Sequence, residues 1–127
     1  MSVPVELERL HDEVMAFGPM PYLLTVTDDG RPHAVSATVS WEDDGLVAPA
    51  GRTSARNAAA RADVTLLWPP VEPGGYSLIV DGTAAVEDVS DEARHIVIRP
   101  AKAVLHRSAP APEPGGCAHD CVPVLPS

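Results

Sequence analysis

The sequence predicts a mainly β domain in which six antiparallel strands and two helices form a small closed or partly closed barrel. Three observations lead there. Short apolar or alternating runs recur between turn signals such as Asp28-Asp29-Gly30-Arg31 and Glu42-Asp43-Asp44-Gly45. Helical patterning is confined to two places, an amphipathic stretch near the N-terminus and an Ala-rich stretch near Ala58. An open sheet of that many strands would also leave exposed edges, and closure removes them.

Each element has its own signal. Val3, Leu7, Leu10 and Val14 fall at i, i+4, i+7 and i+11, with Glu6, Glu8, Arg9, Asp12 and Glu13 between them, so a helix is expected over Val3–Phe17. Gly18-Pro19 and Pro21 stop it. Tyr22–Thr27 is the first strand. His33–Trp41 is the second, with Val35, Ala37, Val39 and Trp41 on one face and Ser36, Thr38 and Ser40 on the other. Leu46–Pro49 is the third, and the turn Gly51–Asn57 leads into a helix whose first turn is Ala58–Arg61. Val64–Trp68, Tyr76–Val86 and His95–His106 complete the set, with a polar connection at Glu87–Glu92. Pro100 lacks a backbone N–H, so its strand needs a bulge or an edge there. Trp41 and Trp68 are expected in the core or at a subunit interface.

The structured domain is expected to span residues 1–107 and a tail residues 108–127. The tail holds five of the 14 prolines and the pair Gly115-Gly116, and it has no periodicity, so an extended or disordered segment is expected.

A net charge of −9 repels nucleic-acid backbones, which excludes nucleic acid as the expected partner. No apolar run approaches the ~18 residues of a membrane span, and the N-terminus lacks the pattern of a signal peptide. A cytoplasmic protein is therefore expected, and in that compartment Cys117 and Cys121 are not expected to form a structural disulfide. Only one lysine, Lys102, accompanies eight arginines.

Against this acidic background Gly51-Arg52-Thr53-Ser54-Ala55-Arg56-Asn57 stands out. A helix start presents unpaired N–H groups and the positive end of the macrodipole. The hydroxyls of Thr53 and Ser54 and the guanidinium groups of Arg52 and Arg56 add donors, a set suited to a phosphate. The plain alternative is a surface helix with solvated arginines.

Taken in order, an N-terminal helix, a strand, Asp-Asp-Gly-Arg-Pro-His, an alternating strand, an Asp-Gly turn, a strand, Gly-Arg-Thr-Ser-Ala-Arg-Asn, Val64-Thr65-Leu66-Leu67-Trp68 and Val80-Asp81-Gly82-Thr83-Ala84 resemble the flavin-binding split-barrel family. This family includes the pyridoxamine 5'-phosphate oxidase-like proteins and the deazaflavin-dependent (coenzyme F420) reductases. The resemblance covers roughly Leu7 to His106. It implies a six-stranded antiparallel split β-barrel of Greek-key type and a homodimer holding two cofactors, FMN or the deazaflavin coenzyme, in clefts between subunits. It also implies that the flat ring lies against strand backbone and the cofactor phosphate near Gly51–Asn57. Members often carry Lys-x-Arg-Asn in that turn. Here Ser54 stands at the lysine position, followed by Ala55-Arg56-Asn57, which removes one charge and leaves Arg52 and Arg56 to compensate. By the same analogy His33 lies along the cleft, where an imidazole can bond a ring or ribityl oxygen; the plain alternative is a strand-end histidine. Pro49 and Ala50 would let a flat ring approach the backbone. His106-Arg107 is either a solvated strand end or a pair reaching into the partner subunit's cleft.

The implied activity is that of a flavin- or deazaflavin-dependent oxidoreductase acting on a small conjugated substrate, with the cofactor carrying the hydride chemistry. Pyridoxamine phosphate is not the expected substrate, because the chain is short and its tail lacks a second phosphate cluster. The missing lysine and the Arg-rich composition favour the deazaflavin over FMN. No catalytic side chain is identified. Two other readings stand beside this one: a cofactor carrier without turnover, and a metal- or haem-binding module using Cys117, His119 and Cys121, three soft or borderline ligands within five residues but with no second pair to close a site.

Overall fold

The computed structural model describes residues 2–43, 45–90 and 93–108. Cys117, His119, Cys121 and the rest of the expected tail beyond Ser108 lie outside the described residues.

Eight strands and two α-helices follow one another as β1 (Ser2–Val5), a 3-10 turn (Leu7–Arg9), α1 (Leu10–Phe17), β2 (Tyr22–Val26), β3 (Pro32–Ser36), β4 (Ser40–Glu42), β5 (Gly45–Ala50), α2 (Arg52–Ala60), β6 (Asp63–Trp68), β7 (Ser77–Asp88) and β8 (Arg94–His106). The strands form one antiparallel sheet in the order β3-β2-β6-β7-β8-β5-β4, with β1 added to β8. The ends of that order, β3 and β4, are not paired with each other among the described residues, so the hydrogen-bonded sheet is open.

The strand count corrects the expected six to eight, for two physical reasons. Val3 precedes Pro4, whose ring disfavours helical backbone at Val3. Residues 2–5 therefore extend along β8, with Ser2 opposite His106 and Val5 opposite Ala103, and the helix begins at Leu10 rather than Val3. Leu10 and Val14 still face the core, whereas Leu7 is largely exposed. The long alternating segment is also interrupted at residues 37–39. There the N–H groups of Ala37 and Val39 donate to the carbonyls of Pro21 and Pro19 at 2.9 and 2.8 Å, while both side chains stay buried. A third correction concerns α2, which starts at Arg52; the basic cluster is the helix's own first turns and not a loop before it.

The core follows the alternation of the strands. Leu23, Leu46, Ala48, Val64, Leu66, Trp68, Leu78, Val80, Ile96 and Ile98 line it, and the small faces of α1 and α2 close over it through Leu10, Val14 and Ala58. Trp68 is a core residue, and its indole N–H donates to the carbonyl of Gly18 at 2.7 Å, just where α1 ends in a glycine with φ of +100°. The expected bulge is present. Asp81 pairs with Lys102 and Gly82 with Pro100, so Ala101 is the extra residue. The extra residue shifts the alternation, bringing Ala103 inward and leaving Lys102 in solvent. The expected polar connection is shorter than read, because β7 runs on to Asp88 and pairs it with Arg94.

Candidate functional site

The candidate site lies at the junction of β5 and α2. β5 is buried through Gly45–Ala48, and the chain turns at Gly51 straight into helix. No side chain caps α2, so its first N–H groups remain available. In an α-helix, positions four apart share a face. Arg52 and Arg56 thus project together from the exposed side, with Ala55 and Ala59 between and beyond them.

A third arginine joins them from β8. The β5–β8 register sets Ala50 opposite Arg94, and the β7–β8 register sets Asp88 opposite Arg94. Arg52, Arg56 and Arg94, with Val86 and Asp88, line one open cavity of about 390 Å³. Arg94 Nε lies 3.3 Å from an Asp88 carboxylate oxygen, a half-exposed pair. Neither Arg52 nor Arg56 has a side-chain hydrogen bond or ion pair among the described residues. Among the described residues three guanidinium groups face one carboxylate, which makes this a local electropositive pocket in a chain of net charge −9. Such groups bind phosphates and carboxylates bidentately.

The inward side of α2 does something else. Ser54 and Asn57 are buried, at 3% and 1% exposure. The Asn57 amide donates to the Thr25 hydroxyl at 3.1 Å and ties the helix to β2. Thr25 in turn sits directly opposite His33 in the β2–β3 ladder, so the two side chains share the inward face. His33 is half-buried, and its Nδ1 is buried without a partner among the described residues. Asn57 meets Thr25 under the helix, and His33 lies beside Thr25 on the neighbouring strand with one ring nitrogen that has no partner among the described residues.

Arg61, just past α2, is engaged in structure. Its Nε donates to the Val26 carbonyl at 2.9 Å and its Nη2 to Asp28 at 2.6 Å. The hydrogen bond from Arg61 and its charge, assisted by the charge of Arg56, hold the exposed Asp28 carboxyl below its ordinary value.

The residues expected at the site thus divide. Arg52 and Arg56 come together on the cavity; Thr53 is exposed on the same helix; Ser54 and Asn57 turn inward. Pro49 is exposed and Ala50 half-buried at the end of β5, and neither lines the cavity, nor does His33. His106 and Arg107 contact their own chain: His106 Nδ1 is 2.9 Å from the Ser2 hydroxyl, and Arg107 stacks over the Tyr76 ring at 4.6 Å. Arg94 is the residue that sequence reasoning missed. Its place depends on two ladder registers, and the nearest signal was its position just before the last strand.

Among the described residues no group of His, Cys, Asp and Glu is arranged to hold a metal ion. No helix among them is long and apolar enough to cross a membrane.

Two mycobacterial proteins, both uncharacterized, from Mycobacterium bovis and Mycobacterium tuberculosis, are each 40% identical to this chain, with 93% of each partner covered. No protein-family model matches the chain. Among solved structures, a proposed pyridoxamine 5'-phosphate oxidase of Listeria innocua superposes with a TM-score of 0.65 at 21% identity, covering 78% of this chain and 99% of that one. An FAD-binding protein of Mesorhizobium loti gives 0.63 at 13% identity over 86% and 98%. An F420 reductase gives 0.54 at 23% identity over 68% and 90%. At these identities the likeness is one of fold, and the fold is shared by proteins with different cofactors.

Proposed function

Since this chain belongs to one family with the two mycobacterial proteins and is built on the fold of the pyridoxamine 5'-phosphate oxidase-like split-barrel proteins, we propose that it binds a flavin-type cofactor and acts as an oxidoreductase on a small conjugated substrate. The observation that carries this reading is the convergence of Arg52, Arg56 and Arg94 on one cavity beside the uncapped start of α2. The residues present fit the phosphate end of such a cofactor. Arg52 and Arg56 have no side-chain hydrogen bond or ion pair among the described residues, the helix start adds N–H donors, and a phosphate there would offset the positive charge that Asp88 leaves unbalanced. Thr53 offers a further hydroxyl on the exposed side.

The inward face supplies a second point of fit. His33 Nδ1 is a buried polar atom in need of a partner, and a ring or ribityl oxygen of the cofactor would provide one. Asn57 serves this site indirectly, by fixing α2 against β2 so that the arginines above it are held in place. Pro49 and Ala50, at the end of β5, offer backbone to the flat ring. When bound, the cofactor supplies the hydride chemistry. The chain contributes phosphate binding, orientation and a partly dry cleft. Between FMN and the deazaflavin coenzyme we favour the deazaflavin, because Ser54 stands where a phosphate-binding lysine is common and is itself buried.

The same reading holds the functional unit to be a cytoplasmic homodimer of split barrels, with the cofactor clefts between subunits. Sedimentation at micromolar concentration should give twice the chain mass; a monomer that binds cofactor fully would overturn the shared cleft.

The test of the cofactor is a titration of the purified chain with FMN, FAD and the deazaflavin coenzyme, followed by fluorescence. Micromolar or tighter binding of one of them is expected, and binding of none overturns the reading. The carrier reading is distinguished by mixing reduced cofactor with candidate acceptors: tight binding without oxidation above background identifies a carrier.

A further inference from the structure

A larger cavity, about 710 Å³, lies elsewhere on the molecule. Its origin is a gap in the sheet. β5 covers one edge of β8 as far as Ile98, and β1 takes up the same edge from Ala103 onward. Between them residues 99–102 have no strand partner on that side among the described residues, and Pro100 has no N–H to offer one. The cavity opens at this gap, lined by Arg99 and Pro100 from β8, by Trp41 and Asp43 at the end of β4, and by Leu10 and His11 of α1. Arg94 and Arg99 are five residues apart on an extended strand, so the gap is about 17 Å along β8 from the arginine cavity at α2.

The walls are unlike those of the first site. Leu10 is fully buried, and Trp41 is half-buried with the His11 ring tilted against it at 5.2 Å. The Trp41 indole N–H is buried and has no acceptor among the described residues. At the mouth stand two exposed charges of opposite sign, Arg99 and Asp43. Both line the cavity, yet they form no ion pair with each other, and neither side chain has a hydrogen bond or ion pair with another described residue.

We propose that this cavity is a second small-molecule site and that it takes an aromatic zwitterion. The aromatic body would lie against Trp41 and the exposed Leu7, the carboxylate on Arg99 and the ammonium on Asp43. The volume is within the range of small-molecule sites, about 300–1,000 Å³, and the lining combines an apolar, aromatic body with a few polar groups, as such sites do. A ligand of one charge would pair with one side of the mouth and leave the opposite charge without a ligand partner, so a ligand carrying both charges is favoured. This inference does not rest on the cofactor assignment, since the cavities share no lining residue.

The test is isothermal titration of the full chain with L-tryptophan, tryptamine and indole-3-acetate, which share the ring and differ in charge. L-tryptophan should bind at least about tenfold more tightly than either single-charge analogue, the scale of one charge-assisted hydrogen bond. Arg99→Gln should bring L-tryptophan down to the level of tryptamine, and Asp43→Asn should bring it down to that of indole-3-acetate. Arg56→Ala, in the other cavity, should leave all three unchanged. Both mouth residues are exposed, and a thermal melt confirms that the variants fold. Absence of heat with L-tryptophan overturns the site. Loss of affinity in only one of the two mouth variants overturns the zwitterion, and loss in Arg56→Ala overturns the separation of the two cavities.

Discussion

Asn57 and Arg56 are adjacent in sequence and face opposite ways. Asn57 is buried and donates to the Thr25 hydroxyl, so Asn57→Ala leaves a polar group without its partner. A loss of about 1–3 kcal/mol is expected in denaturant unfolding. Arg56 is exposed and without a side-chain hydrogen bond, so Arg56→Ala should change stability by no more than about 0.5 kcal/mol. The same variant should weaken cofactor binding by about 1.5–3 kcal/mol, the value of a hydrogen bond to a charged group; equal affinity in variant and wild type would remove Arg56 from the phosphate site. The two arginines of α2 were legible in sequence because they are four apart beside a glycine. The role of Asn57 was not, since Thr25 is 32 positions away and only tertiary packing brings it near. Arg94 was hidden for the same reason. Asp28 gives a prediction in pH. Its carboxyl is held below the ordinary value by Arg61, so its pairing stabilises the fold above that value and is lost as pH falls through the lowered one. In an acid titration of the melting temperature, Asp28→Asn should be less stable than wild type at neutral pH and should converge with it at strongly acidic pH. The pair is exposed and screened, so the effect is small. A constant difference at every pH would show that the ion pair does not carry it.

Among the described glycines, Gly82, where β7 meets the bulge of β8, has the least room for a side chain. A Cβ added at Gly82 would come within 2.7 Å of the Arg99 carbonyl and 2.8 Å of an Ile98 methyl, both across the bulge. Neither can retreat: Ile98 is fully buried and the carbonyl is backbone. Gly82→Ala is therefore expected to cost about 1–3 kcal/mol through overpacking, read from the urea midpoint. An unchanged midpoint would mean that the bulge can shift along β8. Pro100 announced this bulge in the sequence, because a residue without an N–H cannot sit in an unbroken ladder. The bulge also explains why Lys102 follows apolar, even-numbered Ile96 and Ile98 without being buried. The strands with regular alternation or continuous apolar runs were equally legible. The N-terminus was not. Helical spacing over Val3–Val14 was real only from Leu10, and Pro4 overrode it at the start. The break between β3 and β4 was hidden because Ala37 and Val39 keep facing inward while their N–H groups turn to Pro21 and Pro19.

For the whole molecule, the proposed cofactor raises the question of how an anion reaches a protein that repels it. The net charge is −9, and the attraction resides in Arg52, Arg56 and Arg94, offset by Asp88. The two act over different ranges. At about 0.01 M salt the screening length is roughly 30 Å, so an approaching phosphate feels the summed negative charge; at about 0.15 M it shrinks to roughly 8 Å and only nearby groups are felt. Given the cofactor assignment, the association rate should rise between those two salt concentrations as long-range repulsion is screened, and fall only at higher salt as the arginine contacts weaken. A dimer doubles the charge and sharpens the rise. Ligands steered by a basic surface show the opposite trend, slowing with salt from the start. Stopped-flow association with the deazaflavin coenzyme or FMN over a salt series measures this directly. A rate that falls steadily from the lowest salt would mean that the arginine pocket governs the field at every distance, leaving the acidic surface no part in admitting the cofactor.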